Sequence, residues 1–412
     1  MSKLSQIAET LIGSEIVRLG NEINVRIAAG EAITNLTIGD FKPQVFPIPQ
    51  ALEDEIVNAY RNKFTNYPAG DGVLKLRKAV AAYYERLLGL SYDVSEIQIA
   101  SGGRPLIYSI FRTLVDAGDK VVYPVPSWNN NHYTHFNSGE HVLIETTPQN
   151  NFMPTPQELE PHIKDARLIA LCSPLNPTGT TFTKEALSAI CDMVVAENQR
   201  RGSDEKKLYV LYDQIYFVLT HGDTKHVNPV SLNPAMKDYT VFVDGISKAF
   251  AATGVRVGWS VGPANVIAKV KAILSHIGAW APMAEQEATA NYLVQTEAVD
   301  SYLGEFKQQL SDRLFAFHNG FQAMKAKGLP VDSIVPEAAM YLTVKFDLVG
   351  KPNINTPADT WQHILNEAKV ALVPFTSFGA SSDSAWFRLS VGTCTMNEID
   401  DILARIEAAI SK

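Results

Sequence analysis

The sequence predicts an α/β protein whose large domain holds a mostly parallel sheet covered by helices on both faces, with a smaller α+β domain beside it. Between residues 97 and 248, strands that are apolar along their whole length alternate with helical segments. A strand with no polar face must be covered on both sides, as in a parallel sheet with crossover helices. Beyond residue 338, short strand-like runs alternate with helices, which suits a smaller α+β unit. At 412 residues the chain is long enough for two domains. The expected division is 46–290 for the large domain, and 1–45 with 291–412 for the small one.

Residues 4 to 29 place apolar positions at helical spacing up to Gly30. Asn35 to Pro43 reads as a short strand broken at Gly39-Asp40, a turn signal. A helix over 50–63, a Gly/Pro loop from Asn66 to Gly72 carrying Tyr67, and a helix over 73–88 follow. In that helix Leu74, Leu76, Val80, Tyr84 and Leu87 are expected roughly on one side. The regular series then begins, with strands over 97–100, 120–126, 167–174 and 206–213, and a last one at Val241-Phe242-Val243. Helices are expected over 106–118 and from Lys184 to about Arg200. From Pro263 to about residue 328 the pattern is helical, interrupted at Gly278 to Pro282. Strands over 339–346, 370–375 and 386–392, a helix around 358–369 and a final helix complete the chain.

Composition excludes several classes of function. A net charge of −8 repels nucleic acid and anionic membranes alike. No apolar stretch approaches the roughly 20 residues of a membrane span. The first 20 residues mix charge into their apolar positions, unlike a signal peptide, so a cytoplasmic location is expected. The three cysteines, Cys172, Cys191 and Cys394, form neither a disulfide framework nor a zinc pattern, and no metal is expected.

Chemistry concentrates where apolar strands end, and ligands of parallel sheets sit beyond the strands' carboxyl ends. Ser101-Gly102-Gly103-Arg104-Pro105 turns from strand to helix, and exposed N–H groups at a helix start suit a phosphate. Trp128 offers a flat face in a polar loop. Asn176 stands in Leu-Asn-Pro-Thr-Gly, and Asp213 closes an apolar strand, where a buried carboxylate needs a partner. Lys248 follows Val241–Val243 among apolar neighbours, and Arg256 comes eight residues later. Desolvation lowers a lysine's pKa, which is what imine formation requires. An anion site, a stacking ring, an amide, a carboxylate, a lysine and a guanidinium are the parts needed to hold pyridoxal 5'-phosphate. Each part alone also reads as ordinary structure.

Ser173–Gly179 (SPLNPTG), Tyr212–Tyr216 (YDQIY), Ser247–Trp259 (SKAFAATGVRVGW) and Trp386–Gly392 (WFRLSVG) together resemble the class I/II aminotransferases, pyridoxal-phosphate enzymes of fold type I. The resemblance runs from about Asn35 to Gly392. It implies that Lys248 carries the cofactor as an imine and shuttles the substrate's proton, with Asp213 keeping the ring nitrogen protonated. Asn176 and Tyr216 would hold the phenolate oxygen, and Trp128 would stack on the ring. Gly102, Gly103, Arg104 and Arg256 would meet the phosphate, and Ser247 is the nearby hydroxyl. Tyr67 would reach the phosphate of a neighbouring subunit, which implies a homodimer. Arg388, backed by Gly39, would take the α-carboxylate of an amino acid or a 2-oxoacid.

The chain departs from many relatives in having Gly245, not a hydroxyl residue, three positions before the lysine. His132 and His135 sit in an amide-rich loop that is read as surface, with the substrate pocket as the competing reading. Transamination by a ping-pong route is expected, with aspartate and 2-oxoglutarate favoured as the commonest pair. A β-lyase or decarboxylase would use the same parts. A non-catalytic regulator would need a DNA-binding module, for which the residues before the first motif leave little room.

Overall fold

The computed structural model describes residues 4–411; the outermost residues of the expected small domain, 1–3 and 412, lie outside the described part. Seven strands form the main sheet in the order Ile97–Ala100, Gly258–Val261, Thr240–Gly245, Tyr209–Asp213, Ala166–Cys172, Lys120–Val125, Glu140–Glu145. All neighbours pair in parallel except Gly258–Val261, which runs antiparallel to both strands beside it. The expected α/β architecture is therefore the observed one, with two strands more than the sequence signalled. Glu140–Glu145 was missed because it is an edge strand with mostly exposed side chains. Gly258–Val261 was hidden inside the motif that follows Lys248.

Residues of each central strand divide between two cores, which is why these strands lack a polar face. Val121, Tyr123, Leu168, Ala170, Leu211 and Val243 pack with the helix Gly103–Leu114 on one side. Val122, Ile169, Leu171, Val210, Tyr212 and Phe242 pack on the other. The helix Leu74–Leu88 buries Leu76, Val80 and Tyr84 in this second core. Leu74 differs from the expectation and is exposed, because two residues along a helix turn it nearly to the face opposite Leu76.

A four-stranded antiparallel sheet, Val373–Pro374, Trp386–Ser390, Tyr341–Phe346, Val331–Ser333, stands apart from the main one. Its core joins Leu19, Ile23, Leu36, Phe41 and Phe46 to residues of the long helix Thr296–Ala326 and of the strands. The expected strand over 35–43 is reduced to Thr34–Asn35, paired in parallel with Val370–Ala371. Beyond it the backbone leaves the ladder because Thr37 O and Gly39 O serve side chains instead. The expected helix over 4–29 is two helices, Gln6–Thr10 and Glu15–Ala28, parted at Gly13 and the cap residue Ser14. Among the described residues no helix is long and apolar enough to cross a membrane, and no group of His, Cys, Asp and Glu is placed to hold a metal ion.

Candidate active site

A cavity of about 450 Å³ opens at the carboxyl ends of the main sheet and reaches the antiparallel sheet through Tyr341 and Arg388. Its wall gathers Gly39, Gly103, Arg104, Trp128, Asn176, Asp213, Tyr216, Ser247, Lys248, Arg256 and Arg388, which the sequence singled out. Gly102 lies just behind, where a side chain would collide with the Arg256 guanidinium, and its φ of 91° is one that glycine tolerates. Arg256 donates to Ser101 O at 2.9 Å and to Thr253 O at 2.7 Å, which fixes it at the start of the helix Gly103–Leu114. Backbone N–H groups and a guanidinium thus converge on one spot suited to a dianion.

Lys248 stands on a single helical turn, Ile246–Ala249, directly after the strand Thr240–Gly245. Its Nζ donates to Gly39 O at 2.6 Å and lies 5.6 Å from the Phe41 ring centre. Burial lowers its pKa to about 8; Asp40 opposes the shift, while Arg388, Arg104 and Arg256 add to it. Gly245 is required where it stands, since a Cβ would come within 2.7 Å of Gly258 Cα and 2.8 Å of Val257 O. A side chain at this position would press on that backbone.

Asp213 accepts a hydrogen bond from Ile215 N at 3.1 Å and forms no ion pair among the described residues. Burial pushes its carboxyl up to about 6. A positively charged partner would relieve such a carboxylate. Tyr216 exchanges a hydrogen bond with Tyr341, Oη to Oη, at 2.8 Å. The sequence reading passed over Tyr341, because a tyrosine inside an apolar strand looks like core.

Arg388 is 1% exposed, yet no carboxylate among the described residues pairs with it. It donates to Asn176 Oδ1 at 2.9 Å and to Thr37 O at 2.6 Å, and its Nε has no partner. Rings of Tyr341 and Phe378 flank it at 4.6 and 5.0 Å. A buried guanidinium with unsatisfied capacity is an anion site, because burying its charge without compensation is costly. Gly39 backs it closely; a Cβ there would lie 3.0 Å from Tyr341 Oη and 3.6 Å from Arg388 Nη1.

Arg104 lies 5.3 Å from the centre of the Trp128 ring and makes no ion pair among the described residues. Asp40, passed over in the sequence as part of a turn, faces the cavity and accepts from Thr253 Oγ1 at 2.7 Å. Tyr67, expected at a neighbouring subunit's phosphate, and His135, read as surface, both lie outside this cavity. Tyr67 is 81% exposed, edge-on to Trp280, and lines a separate surface hollow with Phe64, Pro68 and Met283. His135 meets Ile7 O at 3.2 Å, outside the cavity, whereas His132 lines an adjoining one.

The aminotransferase class I and II family matches residues 31–406. The chain belongs to that family, and it is a pyridoxal-phosphate-dependent aminotransferase. It is 29% identical over 411 residues to the aspartate aminotransferase of Geobacillus stearothermophilus, covering 98% of each chain. It is 26% identical over 416 residues to that of Bacillus subtilis (strain 168), covering 100% of this chain and 99% of the relative. The solved aspartate aminotransferase of Rhizobium meliloti superposes with a TM-score of 0.89 at 26% identity, over 100% of this chain and 99% of the other. The Thermus thermophilus enzyme solved with maleate gives 0.88 at 25%, over 99% of this chain and 100% of the other.

Proposed function

We propose that the amino donor is aspartate and the acceptor a 2-oxoacid such as 2-oxoglutarate, in two half-reactions at one cavity. The supporting observation is its charge: Arg104, Arg256, Arg388 and Lys248 stand against Asp40 and Asp213 alone among its lining residues. That excess suits a phosphate and two substrate carboxylates together. Several relatives carry the name aspartate aminotransferase, which agrees with this reading.

The residues present fit the cofactor. Arg256 and the N–H groups at Gly103 and Arg104 suit its phosphate, with Ser247 beside them; Asp213 suits its ring nitrogen, Tyr216 and Asn176 its phenolic oxygen, and Trp128 the face of its ring. When bound, the cofactor supplies an aldehyde that condenses with amines and a ring that accepts electrons from the substrate's α-carbon. Arg388 orients the α-carboxylate in a two-pronged grip, and the Arg104 guanidinium meets the second carboxylate. Lys248, with its pKa near 8, is the base that takes and returns the proton at the α-carbon. Asp213 in its charged form stabilises positive charge next to it, so its own pKa falls once a cation binds.

The protein is proposed to act as a homodimer in the cytoplasm. The apolar hollow around Tyr67, Phe64 and Met283 supports self-association, with Tyr67 reaching the neighbouring subunit's phosphate site. Residues 46–290 and 1–45 with 291–412 are proposed as its two domains, in keeping with the separate cores of the two sheets.

A panel of amino donors against 2-oxoglutarate and pyruvate tests the substrates. Aspartate should give the highest kcat/KM, and a single turnover without oxoacid should leave pyridoxamine phosphate. Release of ammonia or carbon dioxide in its place would identify a lyase or decarboxylase.

A further inference from the structure

Asp244 comes four residues before Lys248 and is 1% exposed, yet it lines no part of the reaction cavity and makes no ion pair among the described residues. We propose that Asp244 is a positioning residue for transamination: a carboxyl sealed behind the cavity that fixes the backbone entering the Lys248 turn and ties it to the backbone leaving Asp213. The inference rests on the family's chemistry and holds whichever donor the enzyme prefers.

The need for such a group arises where the strand Tyr209–Asp213 ends. Gln214 N still donates to Val243 O at 3.0 Å, but Gln214 O turns aside to accept from Phe217 N at 2.9 Å. The Gly245 N–H, next in the parallel ladder, is thereby deprived of its regular acceptor. Asp244 Oδ1 takes that N–H at 2.7 Å. Gly245 caps the single turn Ile246–Ala249 on which Lys248 stands. A buried N–H without a partner is costly, so the carboxyl sets the peptide from which that turn begins.

The other carboxyl oxygen faces a brace. Tyr84 Oη, from the helix Leu74–Leu88, lies 3.5 Å from Asp244 Oδ2 and accepts from Gln214 Nε2 at 3.2 Å, while Gln214 Oε1 meets His226 Nε2 at 3.2 Å. Asp244, Gln214 and Tyr84 are all buried. Gln214 follows Asp213 directly, so one tyrosine stands between the polar groups that adjoin both catalytic strand ends. Burial holds the Asp244 carboxyl well above its ordinary range; Gly245 N opposes the shift and the Asp213 charge adds to it. Burial also lowers His226 to about 3. Near pH 7 both groups are neutral, and a protonated carboxyl can accept from Gly245 N and donate towards Tyr84 at once. Asp244 therefore acts through its shape and hydrogen bonds, and an amide of the same shape can replace it.

Substitutions in the holoenzyme separate geometry from charge. Each variant is read by kcat and KM with the best donor of the panel, by visible circular dichroism of the bound cofactor, by the pH at which the imine absorbance titrates, and by thermal unfolding. Asp244→Asn keeps both contacts, so kcat should stay within about threefold of the parent, with the same dichroism and imine titration. Asp244→Val leaves Gly245 N unpaired; kcat should fall about tenfold or more at nearly constant KM. Its imine titration should move by about half a pH unit or more, with weakened dichroism. Asp244→Ala serves in its place if the valine variant does not fold, and Tyr84→Phe, which loosens only the brace, should move the same readouts the same way by less. Asp244→Asn as impaired as Asp244→Val would make charge the decisive property and overturn the proposal. Asp244→Val with lowered thermal stability but unchanged kcat, dichroism and imine titration would overturn it as well, leaving a structural role only. If no donor of the panel is turned over, the dichroism and the imine titration still decide.

Discussion

At the scale of single residues, Asp213 and Arg388 are both held in costly states that a ligand relieves. The Asp213 carboxyl titrates near 6 in the folded chain against an ordinary value near 4. A raised carboxylate favours folding only while protonated: its penalty is absent below the unfolded pKa, grows between the two values, and is full above the folded one. Without cofactor, Asp213→Asn should therefore be more stable than the parent at pH 7 to 8, by on the order of 1–3 kcal/mol. Urea titrations should show that gap closing towards pH 4. With cofactor the same variant should lose about a hundredfold or more in kcat, since a buried charge-assisted contact is worth a few kcal/mol. Arg388→Lys keeps the charge and loses the two-pronged geometry, so KM should rise about ten- to a hundredfold for every amino acid and oxoacid. Cofactor absorbance should stay unchanged, and borohydride reduction should still fix the cofactor on Lys248 in that variant.

At the scale of elements, the strand Thr240–Gly245 and its antiparallel neighbour Gly258–Val261 bring the lysine turn and the start of the helix Gly103–Leu114 together. The approach depends on glycine against glycine. Gly245→Ser would add a hydroxyl beside Lys248, yet its Cβ would press on backbone that cannot yield cheaply. We expect a loss of about 1–3 kcal/mol in thermal stability, as for other overpacked sites, together with weaker cofactor retention on dialysis. Elements were legible in the sequence where period and burial agreed. The five apolar strands announced themselves because both faces are covered, and Lys248, Asp213 and Asn176 stood out as polar groups at their ends. Edge strand Glu140–Glu145 gave no such signal, since its exposed face reads as loop. Tyr341 and Asp40 reach the site only through tertiary contact, and nothing local distinguishes them from core or turn.

At the scale of the whole molecule, the net charge of −8 surrounds a cavity lined with cations. Against an overall negative field, those cations give anionic ligands a favourable place to settle. The exposed patch around Tyr67 belongs to the same scale, because within one chain Tyr67 touches Trp280 with one edge and is otherwise open. Tyr67→Phe should leave the sedimentation coefficient of the proposed dimer unchanged and weaken cofactor binding about tenfold, as expected for one charge-assisted hydrogen bond to a phosphate. An unchanged cofactor affinity would remove Tyr67 from the phosphate.

Residues 34 to 39 pair with Val370–Ala371, accept from Arg388 and hold Lys248. On the ribosome these early residues emerge long before their partners. At about 5–20 residues per second, roughly 15 to 70 seconds pass before the nascent chain reaches residue 370. The main sheet is complete by Val261, while the lysine pocket still lacks one wall. Closing the end of the cavity where Tyr341 and Arg388 stand is thus a late event of chain synthesis, after the main sheet is complete.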